Sequence, residues 1–276
     1  MAGFFGLFNY EKEGPGISKN APKKKTFFIF FETFFRNFWK FITINLVYCL
    51  MCVPVVTNGL AAVGLTNVTR NTARDKHSFG LSDFFETIKK NWKQALPAGI
   101  INVVVYFLLG FDIFYFSSLE SDMFSAIGTG ILLSVLFVFT IMNFYIWTLM
   151  ITFSFSLKQL YKNSFKFVFL NFKNNLICLL SQIVFLGIFV GLLFLLSNFF
   201  FLVLLIEIFL LIITFPGFQY LLTQFCVFPA IKKFIIDPYY RDHPNEDIEK
   251  RRSLGLEVEE EQKTPEEIEE ETVFED

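Results

Sequence analysis

Glu207 is the one carboxyl side chain inside the last 40-residue apolar run, residues 176–215. It stands about nine residues beyond the turn expected at Ser197-Asn198, roughly 13 Å deep at 1.5 Å per residue, near the centre of a bilayer. A carboxylate there is expensive, and it faces a bundle interior, a cavity or a partner helix. Three readings stay open: a proton or cation site, a helix-pairing contact within a complex, or a protonated carboxyl hydrogen-bonded inside the bundle. No intramembrane Lys or Arg is expected to neutralise it. Asn45, Asn102, Asn143 and Gln182 fall in apolar runs too. Side-chain amides in hydrocarbon hydrogen-bond across helices, so packing is their default role and a polar solute path the alternative.

Other chemistry is sparse. Cys49-Leu50-Met51-Cys52 has CxxC spacing but neither a nearby His nor a second Cys pair. Cys178 and Cys226 sit in apolar sequence, as small buried hydrophobes do. His77 and His243 lie in separate polar regions, which assembles neither a His-based metal site nor a catalytic triad. Neither GxxxxGK[ST] nor GxGxxG occurs. No cofactor and no enzymatic activity is expected. The basic patches flank apolar runs, so they read as lipid-headgroup and topology signals, not as nucleic-acid sites.

Composition explains why these residues need a membrane to position them. Of 276 residues, 54% are hydrophobic and 18% charged, with 41 Phe. The apolar residues come in long runs, which identifies an all-α, polytopic membrane bundle. The net charge of −2 averages two unlike regions. Residues 237–276 hold 16 of the 26 Asp and Glu against five Lys and Arg, while the remainder carries 19 basic and 10 acidic residues.

Residues 1–26 read as a flexible, basic, cytoplasmic lead-in. A cleaved signal peptide is not expected, because the apolar run begins only near Phe41. A membrane domain follows over 27–236, and 237–276 reads as an acidic, disordered or lone-helical cytoplasmic tail. Five membrane segments are expected, at 41–73, 95–116, 127–155, 176–196 and 199–229. Pro97 is expected in a first helical turn, where its missing N–H is harmless. The last helix is expected to kink or break at Pro216-Gly217. In the first segment Pro54 interrupts the apolar run and Gly59 follows it. Either residues 41–62 are one kinked span, or residues 54–59 turn a short hairpin. All 24 Lys and Arg fall in four regions: 1–40, 63–94, 156–175 and 230–276. Only the hairpin places every one of them on one side, as the excess of Lys and Arg in cytoplasmic loops requires.

An aromatic-basic segment precedes apolar sequence three times. Its copies carry Phe31 and Asn37, Phe85 and Asn91-Trp92, and Phe165 and Asn171-Phe172. Phe31, Phe34, Phe35 and Phe38 have the spacing of one helix face, and Lys and Arg occupy the other faces, as on a helix lying flat on a membrane. The whole reads as three units of surface helix plus membrane hairpin. Gly187 and Gly191 form a GxxxG that permits close helix contact, within the chain or with another.

The stretch Cys52-Val53-Pro54-Val55-Val56-Thr57-Asn58-Gly59 resembles a pattern of the YesL-like family of bacterial membrane proteins. So do the opening Phe4-Phe5-Gly6-Leu7-Phe8 and Asp83-Phe84-Phe85 through Asn91-Trp92-Lys93-Gln94-Ala95, and the resemblance spans roughly residues 1–235. The family carries over no catalytic residues. Its association with carbohydrate ABC uptake systems implies a non-enzymatic accessory subunit in the cytoplasmic membrane, with permease and ATPase subunits and the bilayer as partners. An autonomous small-solute or ion transporter using Glu207 and the intramembrane amides is the alternative.

Overall fold

In the computed structural model, residues 25–76, 78–119, 123–196 and 199–243 are described. The lead-in's residues 1–24 and the tail beyond residue 243 lie outside them, as does His77. The described residues are helical, with no strand among them. Thr26–Arg36 (α1) and Phe38–Cys52 (α2) meet at Asn37. A 3-10 turn, Val55–Thr57, leads into Asn58–Ala73 (α3). Next come Leu81–Ser118 (α4) and Met123–Thr152 (α5). Leu157–Leu170 (α6), Phe172–Leu195 (α7), Phe200–Ile231 (α8) and Asp237–Asp242 (α9) complete the order. Among the described residues, four helices are long and apolar enough to cross a membrane: α4, α5, α7, and α8 with its continuation through α9.

The first segment folds back on itself. Lys40 Nζ at the start of α2 lies 3.4 Å from Thr72 Oγ1 at the end of α3, and Arg36 pairs with Asp75. The helices are therefore antiparallel, each roughly 22–24 Å long, shorter than the 30 Å hydrocarbon core. Pro54 stands in the turn, and Val55 adopts φ 37°, a left-handed value that is costly for a β-branched residue. Gly59 does not form the turn. It lies in the first turn of α3, where the backbones of α3 and α4 touch.

The three aromatic-basic segments are not equivalent. The first and third end at a joint, Asn37 and Asn171, before the apolar helix begins. The second runs on into its span as one 38-residue helix, so Pro97 sits in the interior of α4 and not in a first turn. The cause is α3, whose small residues offer a seam along which α4 packs. Phe84 is fully buried against Gly64, Asn67 donates to Thr87 Oγ1 at 2.7 Å, and Ala95, Ala98 and Gly99 continue the contact. Asn37 and Asn91 still share one feature, since each donates to the carbonyl four residues back, Thr33 O and Thr87 O, both at 2.9 Å.

The buried face of each aromatic-basic helix overlaps only in part with the face that carries the repeated Phe spacing. In α1 the buried rings are Phe30 and Phe34, against Phe218 of α8 at centroid distances of 5.3 and 5.9 Å. In α6 the buried residues are Leu160, Ser164, Phe167 and Val168. Phe31 is half-buried, while Phe85, Trp92, Phe165 and Phe172 are exposed. An apolar medium outside the bundle accepts such rings at no cost, so burial periodicity in a membrane chain marks two apolar faces, not one.

Helix α8 passes through Pro216-Gly217 without breaking. Pro216 has no N–H for the carbonyl of Ile212. Cys49 Sγ approaches that oxygen at 3.9 Å, and Asn45 Nδ2 donates to the next carbonyl, Ile213 O, at 2.7 Å. A neighbouring helix thus caps the backbone that proline frees.

Buried residues concentrate at one end of the bundle. Arg70 bonds Ile151 O at 3.2 Å, Gln94 bonds Phe155 O at 2.9 Å, and Arg74 lies over the Phe228 ring. These contacts gather the basic segments at that same end. At the other end, among the described residues, only Leu109 and Ser125 are buried in 103–138, and only Glu207 in 183–215. The outer halves of the α4–α5 and α7–α8 hairpins are bare.

Candidate functional site: a neutral polar chamber

Polar side chains recur at helical spacing on the inner faces of the spans. Asn102 and Tyr106 are four apart on α4; Thr140, Asn143 and Trp147 follow i, i+3, i+7 on α5; Gln219 and Thr223 are four apart on α8. Each pattern places its members on one face. Together with Tyr48 of α2 and Thr66 of α3, these faces line a partly open cavity of about 210 Å³. That is smaller than the 300–1,000 Å³ typical of drug-sized ligand sites, and suits waters or a small polar molecule.

Its walls are fixed by hydrogen bonds between helices. Asn102 Nδ2 donates to Asn143 Oδ1. Asn143 Nδ2 in turn reaches Phe139 O at 3.0 Å and Tyr106 OH at 3.3 Å. Tyr161 OH of α6 donates to Asn102 Oδ1 at 3.1 Å. Gln224 Nε2 donates to Thr148 Oγ1 at 3.0 Å, joining α8 to α5, while Gln224 Oε1 is buried without a partner among the described residues. Tyr48 and Tyr220 meet edge to face at 5.7 Å.

The lining holds amides, hydroxyls and aromatic rings, with no Asp, Glu, Lys, Arg or His. Such a surface offers hydrogen bonds and ring faces to a neutral polar solute, and no charge to balance an ion. Among the described residues no three His, Cys, Asp or Glu side chains cluster as metal ligands would.

The five polar residues singled out from the sequence separate here. Asn102 and Asn143 line the chamber. Asn45 caps α8, and Gln182, buried on α7, donates to Cys178 Sγ at 3.4 Å. Glu207 lies outside the chamber, 7% exposed, with Oε1 unpartnered among the described residues. Its neighbours Ile206 and Ile208 are 49% and 47% exposed, so it is the inward residue of an outward stretch. Sequence reading missed Tyr48, Tyr106, Thr140, Thr148 and Tyr220. The i, i+3, i+4 and i+7 spacing of hydroxyls with the Asn and Gln residues was the available signal.

Neither a curated protein nor a solved structure matches the chain. Residues 41–113, which comprise most of α2, all of α3 and most of α4, match the model of a family described as "Protein of unknown function, DUF624", the family to which YesL-like proteins belong.

Proposed function

We propose that this protein is a non-enzymatic membrane subunit that works beside a bacterial carbohydrate ABC importer, with both termini cytoplasmic. The observation that carries the reading is the bare outer half of the α7–α8 hairpin. Gly187 and Gly191 sit there with no atom of another described helix within 4 Å of where a Cβ would be. Their GxxxG is thus unused by the described residues and free for a transmembrane helix of another chain. The likeness of residues 41–113 to DUF624, a family of unknown function to which YesL-like proteins belong, agrees with the sequence resemblance from which the carbohydrate-uptake association is inferred. The gathering of basic segments at one end supports the orientation, because Lys and Arg are retained on the cytoplasmic side.

A tagged full-length chain drawn from native membranes in mild detergent tests it. Permease and ATPase chains are expected in stoichiometric amounts after a sizing column, identified by mass spectrometry. A lone monomer or homo-oligomer would overturn the reading.

The chamber favours a second reading, a carrier of small neutral solutes. Purified protein in liposomes would then take up a labelled monosaccharide by itself, and Asn143→Leu would slow that uptake at least about tenfold by leaving buried polar groups unpaired. Glu207→Gln would leave it unchanged, since Glu207 is outside the chamber. Absence of uptake by the pure chain removes this reading.

A further inference from the structure

At the basic end, Arg74 holds its guanidinium against the face of Phe228, 3.6 Å from the ring centroid. Its Nε and Nη2 are buried and have no hydrogen-bond partner among the described residues. Those two nitrogens form one edge of the guanidinium, so their N–H bonds run parallel, as two oxygens of one anion require. One helical turn earlier, Arg70 spends Nη1 on Ile151 O and Thr152 Oγ1 and Nη2 on Asn67 Oδ1, which leaves its buried Nε unpartnered. Both residues line a cavity of about 180 Å³ together with Thr26, Gln224, Phe225 and Phe228.

No acid within the described residues answers these charges. Asp75, the nearest in sequence, is paired with Arg36, and the other described ion pair joins Lys90 to Glu86. Like charges this close and this buried are costly without a counter-ion. Burial first, and then Arg70, hold the Arg74 guanidinium below its ordinary pKa, and burial with both arginines does the same to Lys76.

We propose that Arg74 and Arg70 form a phosphate-binding cleft, with the Nε–Nη2 edge of Arg74 taking two oxygens and Arg70 Nε a third. The cleft lies at the end of α3 and α8, where the bundle meets the basic surface, and its wall of Phe225 and Phe228 is apolar. That combination suits the headgroup phosphate of an anionic lipid, whose chains continue along apolar surface. Free phosphate offers the same oxygens without the chains.

The full-length chain in detergent separates the two sources. Native mass spectrometry measures retention of added phosphatidylglycerol against phosphatidylcholine, and a thermal-shift titration with inorganic phosphate runs in parallel. Phosphatidylglycerol retention that falls at least about tenfold in Arg74→Gln, the loss of a charged hydrogen-bond pair, establishes the cleft with a lipid occupant. A phosphate-induced shift lost in Arg74→Gln, without lipid selectivity, establishes it with a soluble one. Arg74→Lys keeps the charge but not the parallel edge, and is expected to bind more weakly than wild type even if Arg74→Gln does not fold. Lys90→Gln, at an exposed pair on the same end, is expected to change neither readout. Equal binding by wild type and both Arg74 variants, or no anion bound by wild type, overturns the proposal.

Discussion

Gly99→Leu is expected to leave little folded protein to purify. Helices α3 and α4 cross with their backbones in contact. A Cβ at Gly99 would stand 2.6 Å from Gly59 N and 2.7 Å from Gly59 Cα, and one at Gly59 would meet Gly99 Cα at 2.7 Å. Real Cβ atoms do not approach backbone this closely, and neither helix can yield by rotating a side chain. Overpacking a core costs about 1–3 kcal/mol where side chains can move; here the helices must separate. Parting them opens the seam that holds Phe84, Ala95 and Ala98, all fully buried. Gly110→Leu, on the same helix, meets nothing within 4 Å and serves as the control. Thermal unfolding followed on a sizing column checks both. Wild-type melting of Gly99→Leu would mean that α3 and α4 do not cross as described.

The second large effect is expected at Asn175. Its Nδ2 donates to Phe167 O at 2.9 Å and Val168 O at 3.2 Å, and its Oδ1 accepts from Tyr145 OH at 2.6 Å. Asn171 completes the cluster by donating to Tyr145 OH at 2.9 Å and Cys226 O at 3.1 Å. Two amides and one phenol thus tie α5, α6, α7 and α8 where the basic segment turns into the membrane. Asn175 and Tyr145 are fully buried, so Asn175→Leu removes three hydrogen bonds in a place water does not reach, although Phe167 O keeps Asn171 N–H at 3.2 Å and Tyr145 OH keeps Asn171 Nδ2. Three such bonds, at about 0.6–1.7 kcal/mol each in membrane proteins, give a loss of about 2–5 kcal/mol. The neighbouring Asn174 is exposed, and Asn174→Leu is expected to cost under about 0.5 kcal/mol. Equal melting temperatures for the two variants would contradict the network.

Both clusters bear on what was legible in the sequence. Membrane class and helix content follow from the apolar runs, because every backbone group in lipid must be paired within a helix. The back-folding of α2 on α3 was legible from charge alone, since only a hairpin collects the basic regions, and the Lys40–Thr72 contact agrees with it. Gly59 was visible as a residue and misread in role. A glycine beside a Pro-containing turn reads as part of that turn until the opposing Gly99 is known. The aromatic faces show a related limit, because lipid and protein both welcome Phe and periodicity cannot tell them apart. Asn171 and Asn175 show a further gap. Their partners lie 26, 30 and 55 residues away, and no local pattern encodes such pairings. The chamber was half visible: Asn102 and Asn143 stood out among apolar residues, whereas Tyr and Thr at the same helical spacing did not.

The bare α7–α8 face is where the proposed partnership is most directly measured. A photo-crosslinking amino acid placed at Ile188, 57% exposed and next to Gly187, reports what touches that face in native membranes. Crosslinks to an ABC permease chain, lost when Gly187 and Gly191 are both changed to Leu, are the predicted result. Crosslinks confined to lipid, unchanged by those substitutions, would contradict the account.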